Sequence, residues 1–226
     1  NGYLFAAPWL IGLCVFTAYP LIASLIYSFF DYNVYNRMDW VGLGNYISLI
    51  KEDQLFWVSL YNTAYYTIFS VPLGIIVGLA IAILLNQNIK GLALFRSIYY
   101  LPAVISGVAV SILWIWVLDP NFGLIASVLG IFGINSPNWL GDPSWSKPAL
   151  ILMSLWGAGG SMIIYLSGLQ SIPTELYEAA RIDGANSIQC FLKITIPMMT
   201  PVLFFTLITG LIGSFQVFTQ AYVMTD

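Results

Sequence analysis

Long charge-free runs alternate with short polar segments along this chain of 226 residues. The runs cover residues 3–30, 54–89, 97–118, 148–174 and 194–225. Each exceeds the roughly 20 residues that a helix needs to cross the hydrocarbon core of a membrane. We therefore predict five transmembrane helices, at about residues 3–30, 63–85, 97–118, 148–170 and 199–224.

A shorter apolar run, from Leu124 to Ile134, is not expected to span the membrane. Roughly eleven residues at about 1.5 Å each cannot cross a core about 30 Å thick, so we predict a short helix in the outer interface.

The chain is 59% hydrophobic and 8% charged, with a mean hydropathy of +0.85. A soluble domain of this size needs more charged surface. We predict an all-α integral membrane protein with one transmembrane domain over residues 1–226.

Basic residues in the short loops predict the orientation. Lys90 and Arg96 lie between spans two and three, and Arg181 and Lys193 lie between spans four and five, so one face collects all four. The opposite loops hold three basic residues over more sequence: Arg37, Lys51 and Lys147. We therefore expect the N-terminus in the cytoplasm and the end of span five, at Asp226, outside.

The composition also excludes several kinds of chemistry. The chain has no histidine and no G-x-x-x-x-G-K-[ST] segment, so we expect no catalytic residues, no metal site and no bound cofactor. Cys14 and Cys190 match no disulfide or metal pattern. No ionisable residue lies near the middle of a span, which argues against an ion-coupled carrier. That alternative stays open, because backbone carbonyls and hydroxyls can also bind sodium.

A polar loop over residues 171–198 separates spans four and five. We predict a helix over 175–182 with Thr174 as its N-cap, followed by Gly184 with a positive φ. Asn186 or Ser187 can cap a second short helix, which Pro197 is expected to end.

The spacing of Glu178-Ala179-Ala180, Gly184 and Ile194-Thr195-Ile196-Pro197 resembles the cytoplasmic EAA loop of permease subunits of bacterial binding-protein-dependent ABC importers. Other segments, in the same order, are similar to carbohydrate importers: Tyr19-Pro20, Val41–Tyr46, Phe95–Pro102, Asp119-Pro120 and Phe122-Gly123. The resemblance implies that the loop docks into the cytoplasmic ATPase. The coupling residues would be Glu178, Ala179, Ala180, Asp183 and Gly184.

The resemblance also implies the rest of the assembly. It comprises a second homologous permease, a cytoplasmic ATPase dimer that holds ATP and Mg, and an extracytoplasmic solute-binding protein, in the bacterial inner membrane. The substrate would be an oligosaccharide or related polyol, and no nucleic acid is expected. The chain starts without Met, so we expect it to continue beyond both ends, with a sixth span as in the resembled family. A channel or ion-coupled carrier without an ATPase is the alternative.

Polar residues within the later spans are candidates for the substrate path, because sugars need hydrogen-bond partners and aromatic faces. The same residue types also serve helix packing. The candidates are Trp156, Ser161 and Tyr165 in span four, and Ser214, Phe215, Gln216, Phe218 and Gln220 in span five. Glycines at 157, 159 and 160 either break span four or allow close packing, and the sequence leaves both open.

Overall fold

The computed structural model describes residues 2–32, 38–87 and 90–225. Arg37 and Asp226, which entered the orientation argument, lie outside these ranges. The chain divides into two compact units, Asn1–Tyr61 and Asn62–Asp226. The single transmembrane domain over residues 1–226 stays a prediction.

The first unit contains a long apolar helix and a small polar hairpin. Helices α1 (Gly2–Leu13) and α2 (Tyr19–Tyr27) are joined by a π-helical segment, Cys14–Ala18. Strands β1 (Phe30–Asp31) and β2 (Asp39–Trp40) pair antiparallel, with Phe30 opposite Trp40. Helix α3 covers Gly44–Lys51. The Asn45 side chain donates to the carbonyls of Ser28 and Phe30 at 3.0 Å, which fastens α3 to the hairpin.

The remaining helices follow in chain order. They are α4 (Gln54–Leu85), α5 (Leu92–Val104), α6 (Gly107–Val117), α7 (Leu124–Ile131), α8 (Pro143–Trp156), α9 (Gly159–Gln170), α10 (Thr174–Ile182), α11 (Ser187–Cys190), α12 (Ile196–Ser214) and α13 (Thr219–Thr225). A π-helical segment, Phe191–Thr195, joins α11 to α12 without a break.

Within the described residues, three continuous helices are long and apolar enough to cross a membrane: Phe5–Tyr27, Gln54–Leu85 and Ser187–Ser214. Two helix pairs pass the same test but are bent, α5 with α6 by 101° and α8 with α9 by 48°. If each pair is one span, the total is five. The prediction of an all-α membrane protein is confirmed, while four of the five predicted helices are interrupted or have shifted ends.

The third predicted helix is two helices. Helix α5, which contains Pro102, ends at Val104, and Ile105 is extended. Proline removes one backbone donor and crowds the preceding turn, which weakens the end of α5. Ser106 then starts α6, because its side chain accepts from the Ala109 N–H at 3.4 Å.

The fourth predicted helix is interrupted at Gly157 and Ala158. The next glycine, Gly159, packs so closely that an ideal Cβ would lie 1.8 Å from the Tyr99 carbonyl oxygen. Both roles that the sequence left open therefore occur here: the cluster bends the span and lets α9 approach the backbone of α5.

The fifth predicted helix starts earlier and ends earlier than expected. Pro197 does not end the loop helix, because the preceding π-helical turn displaces the carbonyl that its ring would meet in an α-helix. The helix ends instead at Ser214. Glycines 210 and 213 weaken this last turn, and the Ser214 hydroxyl donates to the Leu211 carbonyl at 2.8 Å. Span two also differs, since α4 begins at Gln54 rather than near residue 63.

Apolar packing and hydroxyl pairs hold the second unit together. One cluster of buried residues joins α4, α9 and α12: Leu79, Ala82, Leu85, Met162, Leu166, Leu169 and Met199. A second cluster joins α6, α8 and α13 through Leu118, Ala149, Met153 and Met224.

Replacing Gly159 with alanine should destabilise the protein by about 3 kcal/mol, the upper end for overpacked sites, because the added methyl overlaps the Tyr99 carbonyl. Thermal unfolding in detergent measures the loss. Gly74→Ala is the matched control, because its added Cβ meets nothing within 4 Å. A Gly159→Ala protein with the same melting temperature as the wild type would contradict this packing.

Candidate coupling loop and membrane cavity

The first helix of the polar loop is α10. It starts at Thr174, and Pro173 occupies the N-cap position without a side-chain hydrogen bond, so the prediction of Thr174 as the cap is wrong. Proline fits here because the first helical residues lack intrahelical partners for their N–H groups. Glu175 in the first turn and Arg181 in the last turn both complement the helix dipole.

A tight turn at Gly184 closes α10. Gly184 has a φ of +80°, as the sequence predicts. Its N–H donates to the Arg181 carbonyl at 3.1 Å, and the Ala185 N–H donates to the Ala180 carbonyl at 2.9 Å. This pair of bonds is the Schellman arrangement of a helix end. Asn186 then caps α11 through reciprocal bonds with Gln189 at 2.8 and 2.9 Å.

The outer side of α10 is a small, exposed surface. Glu178, Ala179 and Asp183 are exposed, and Ala180 is half-buried. The adjacent Ile182 is 87% exposed.

The inner side of α10 is anchored to the membrane helices. The Tyr177 and Thr195 hydroxyls are hydrogen-bonded at 2.9 Å, and Tyr177 also packs against the apolar cluster of α4, α9 and α12. Thr195 lies in the π-helical turn that leads directly into α12. A side-chain contact and a continuous helix therefore connect α10 to α12.

A cavity of about 390 Å³ lies between α4, α8, α9 and α12, further along the bundle. Eight hydroxyl-bearing side chains line it: Tyr66, Ser70, Ser154, Ser161, Tyr165, Thr206, Thr209 and Ser214. Among the described residues of its lining, none is charged. We call it the hydroxyl cavity.

Two buried hydroxyl pairs fix the walls of the hydroxyl cavity. Tyr165 donates to Thr206 Oγ1 at 3.0 Å and links α9 to α12. Thr67 donates to Ser214 Oγ at 3.0 Å and links α4 to the end of α12. The Tyr66 hydroxyl lies near the side chains of Ser154 and Ser70.

A second cavity, of about 340 Å³, shares Tyr66, Ser214 and Val217 with the hydroxyl cavity. It lies on the side away from the coupling loop and contains Lys147, whose Nζ donates to Asn62 Oδ1 at 3.4 Å. The Lys147 ammonium group therefore lies in the neighbouring cavity and is not among the lining residues of the hydroxyl cavity.

The structure places three of the eight predicted path residues in the hydroxyl cavity: Ser161, Tyr165 and Ser214. The other five lie elsewhere: Trp156, Phe215, Gln216, Phe218 and Gln220. Trp156 packs edge-on against Trp114, with 6.1 Å between the ring centroids, and Phe218 stacks on Tyr222, with 5.4 Å between the ring centroids. Helix α12 ends at Ser214, and Val217 is the one described residue after it that lines the hydroxyl cavity.

Sequence reasoning did not select any residue of α4 for the path. Tyr66, Ser70 and Gly74 follow one another at four-residue spacing and so share one helix face. This stripe of polar and small residues was the signal in the sequence that could have indicated the cavity-facing side of α4. Gly78 serves packing, as expected, because an added Cβ would lie 2.8 Å from Ser161 Oγ.

The comparisons with known proteins agree with the fold. Residues 70–225 match the family described as the inner membrane component of binding-protein-dependent transport systems. The probable ABC transporter permease protein YesP of Bacillus subtilis is 41% identical over 226 residues, which cover 99% of this chain and 73% of YesP. The lactose transport system permease protein LacF of Rhizobium radiobacter is 38% identical over 230 residues, which cover 100% of this chain and 76% of LacF.

Two solved structures are also similar. One is a bacterial ABC transporter that imports the acidic polysaccharide alginate, with a TM-score of 0.81 and 26% identity over 99% of this chain and 79% of that chain. The other is a bacterial alginate ABC transporter in complex with a periplasmic protein bound to alginate pentasaccharide. Its TM-score is 0.82, and it is 26% identical over 99% of this chain and 78% of that chain. This chain belongs to the family of binding-protein-dependent transport system inner membrane components, and is a multi-pass permease of the ABC transporter type.

Proposed function

We propose that the chain is the permease subunit of an ATP-driven importer that moves a sugar, either an oligosaccharide or a related polyol, into the cytoplasm. The observation that carries this proposal is the uncharged, hydroxyl-lined cavity within a permease bundle. Hydroxyl linings suit ligands whose recognition depends on many hydrogen bonds rather than on charge. Relatives named as permeases for lactose, arabinooligosaccharides and trehalose/maltose support the same class.

The chain itself performs no covalent chemistry in this proposal. ATP and Mg bind to a separate cytoplasmic ATPase dimer, a second permease subunit completes the membrane part, and an extracytoplasmic binding protein delivers the sugar. The exposed surface of Glu178, Ala179, Asp183 and Ile182 supports docking of such an ATPase on α10, because small and acidic groups admit a basic partner surface closely.

Helix α12 is the element through which ATPase closure reaches the sugar. Thr195, bonded to Tyr177 of α10, and Thr209 of the hydroxyl cavity lie on one continuous helix, about 20 Å apart along its axis. A shift of α10 therefore moves three hydroxyls of the cavity together: Thr206, Thr209 and Ser214.

The N-terminus and the coupling loop face the cytoplasm in this proposal. Arg96 supports this orientation, because its Nη2 donates to the Leu85 carbonyl at 3.4 Å, at the end of α4 that meets the loop. Arginine is favoured both at helix C-termini and at the cytoplasmic interface.

Reconstitution with the partner permease, the ATPase and the binding protein tests the function directly. A panel of sugar-loaded binding proteins should include one that stimulates ATP hydrolysis, and the corresponding uptake should be abolished by vanadate. Uptake that proceeds without the ATPase would instead identify an ion-coupled carrier or a channel.

Replacing Gly184 with valine should abolish sugar uptake while the protein still reaches the membrane. Valine at a φ of +80° costs about 1–2 kcal/mol and disturbs the turn that positions α10. Gly184→Asn is the matched control, because asparagine tolerates this conformation. Uptake by the valine variant at the wild-type rate would disprove the role of the turn in coupling.

Filling the hydroxyl cavity should slow transport. Thr209→Leu places a larger apolar side chain in the lining, and we expect uptake to fall roughly tenfold, equivalent to about 1.4 kcal/mol. Thr200→Leu makes the same change at an exposed position of α12 that does not line the cavity. Equal uptake rates for both variants would place the sugar path outside this cavity.

A further inference from the structure

The hydrogen bonds of the hydroxyl cavity have a direction, because each hydroxyl has one proton to donate and two lone pairs to accept with. When the acceptor is a backbone carbonyl, the hydroxyl must be the donor. The lining of this cavity can therefore be divided into groups whose proton is already committed and groups whose proton is free.

Five of the eight hydroxyls donate to backbone carbonyls of their own helices. Ser154 donates to Ile151 at 2.7 Å, and Ser161 donates to Ala158 at 2.9 Å. On α12, the other three hydroxyls also donate to backbone carbonyls: Thr206 to Val202 and Leu203, both at 3.0 Å, Thr209 to Phe205 at 2.9 Å, and Ser214 to Leu211 at 2.8 Å.

Tyr165 is a sixth committed group. Because Thr206 gives its own proton to the backbone, the 3.0 Å bond between the two hydroxyls is donated by Tyr165. By the same reasoning Ser214 receives the proton of Thr67. The remaining two hydroxyls, Tyr66 and Ser70, lie close to each other, and Tyr66 also lies near Ser154; in the described part of the lining no bond to a backbone carbonyl fixes the direction of their protons.

The result is a lining that offers oxygen lone pairs and few protons. A ligand matches it by donating O–H groups. A carboxylate has only acceptors and would face these lone pairs without a cation among the lining residues, so it would lose hydration without compensation. An ammonium group is also disfavoured, because the lining carries no carboxylate to neutralise it.

We propose that the hydroxyl cavity recognises an uncharged polyhydroxyl ring through the ring's own O–H donors, and that it rejects a ring bearing a carboxylate. This inference rests on the proposed sugar transport and adds the chemistry of selection within the membrane. Thr209 is a residue that would accept such a donor, because it is exposed and its proton is committed to Phe205.

The test compares matched sugars in the reconstituted complex. The probes are the sugar that drives uptake, its single deoxy-fluoro analogues, and its analogue with a carboxylate at C6. A fluorine nearly retains the size of a hydroxyl but cannot donate. Loading of each sugar on the binding protein is measured separately, and uptake is expressed per loaded binding protein, so that selection by the permease is isolated.

At least one deoxy-fluoro analogue and the carboxylate analogue should be taken up roughly tenfold more slowly than the parent sugar. Thr209→Val, which removes the acceptor at constant shape, should slow the parent sugar and leave the affected deoxy-fluoro analogue nearly unchanged. Thr209→Ser keeps the oxygen and should preserve the discrimination.

Equal uptake of the parent and every analogue would overturn the inference while leaving sugar transport intact. So would a Thr209→Val variant that slows the parent and each analogue by the same factor. If no sugar drives uptake at all, the proposed function fails, and this inference fails with it.

Discussion

A backbone polar group in the hydrocarbon core has no water to bond with, so each must be satisfied within the protein. This constraint determines where the chain can interrupt its helices. At the break before α9, the Ala158 carbonyl accepts from Ser161. At the end of α12, the Leu211 carbonyl accepts from Ser214. Each carbonyl also accepts a backbone N–H, from Met162 at 3.1 Å and from Phe215 at 3.2 Å, so the two serine hydroxyls that line the cavity add a second bond at each interruption.

The constraint also explains which parts of the fold the sequence could predict. Hydrophobic length alone located the five apolar segments and the short helix α7, because crossing a core of fixed thickness requires a minimum run. The turn at Gly184 was predictable as well, since a left-handed residue after a short helix favours glycine. These features depend on local sequence, and their physical causes act within a few residues.

The errors arose where one helix affects another or where the helix geometry changes. The break after Val104 and the continuation through Pro197 depend on turns that proline alone does not specify. The end of α12 at Ser214 removed Phe215, Gln216, Phe218 and Gln220 from the predicted face. Tyr66 and Ser70 were not selected because a polar stripe in an apolar helix indicates burial without revealing the neighbouring helices.

The packing below the hydroxyl cavity bears on how the bundle can move. Between the cavity and the coupling loop lies the apolar cluster of α4, α9 and α12, which includes Met162 and Met199. An added Cβ at Gly168 would lie 2.9 Å from Met199 Sδ, so α9 and α12 touch closely at a glycine and a flexible thioether. Such a contact can slide, because methionine has several accessible rotamers and glycine presents no side chain to interlock. One continuous helix therefore carries Thr195 at the coupling loop, Met199 in the apolar cluster and Thr209 in the cavity, in that order along its axis.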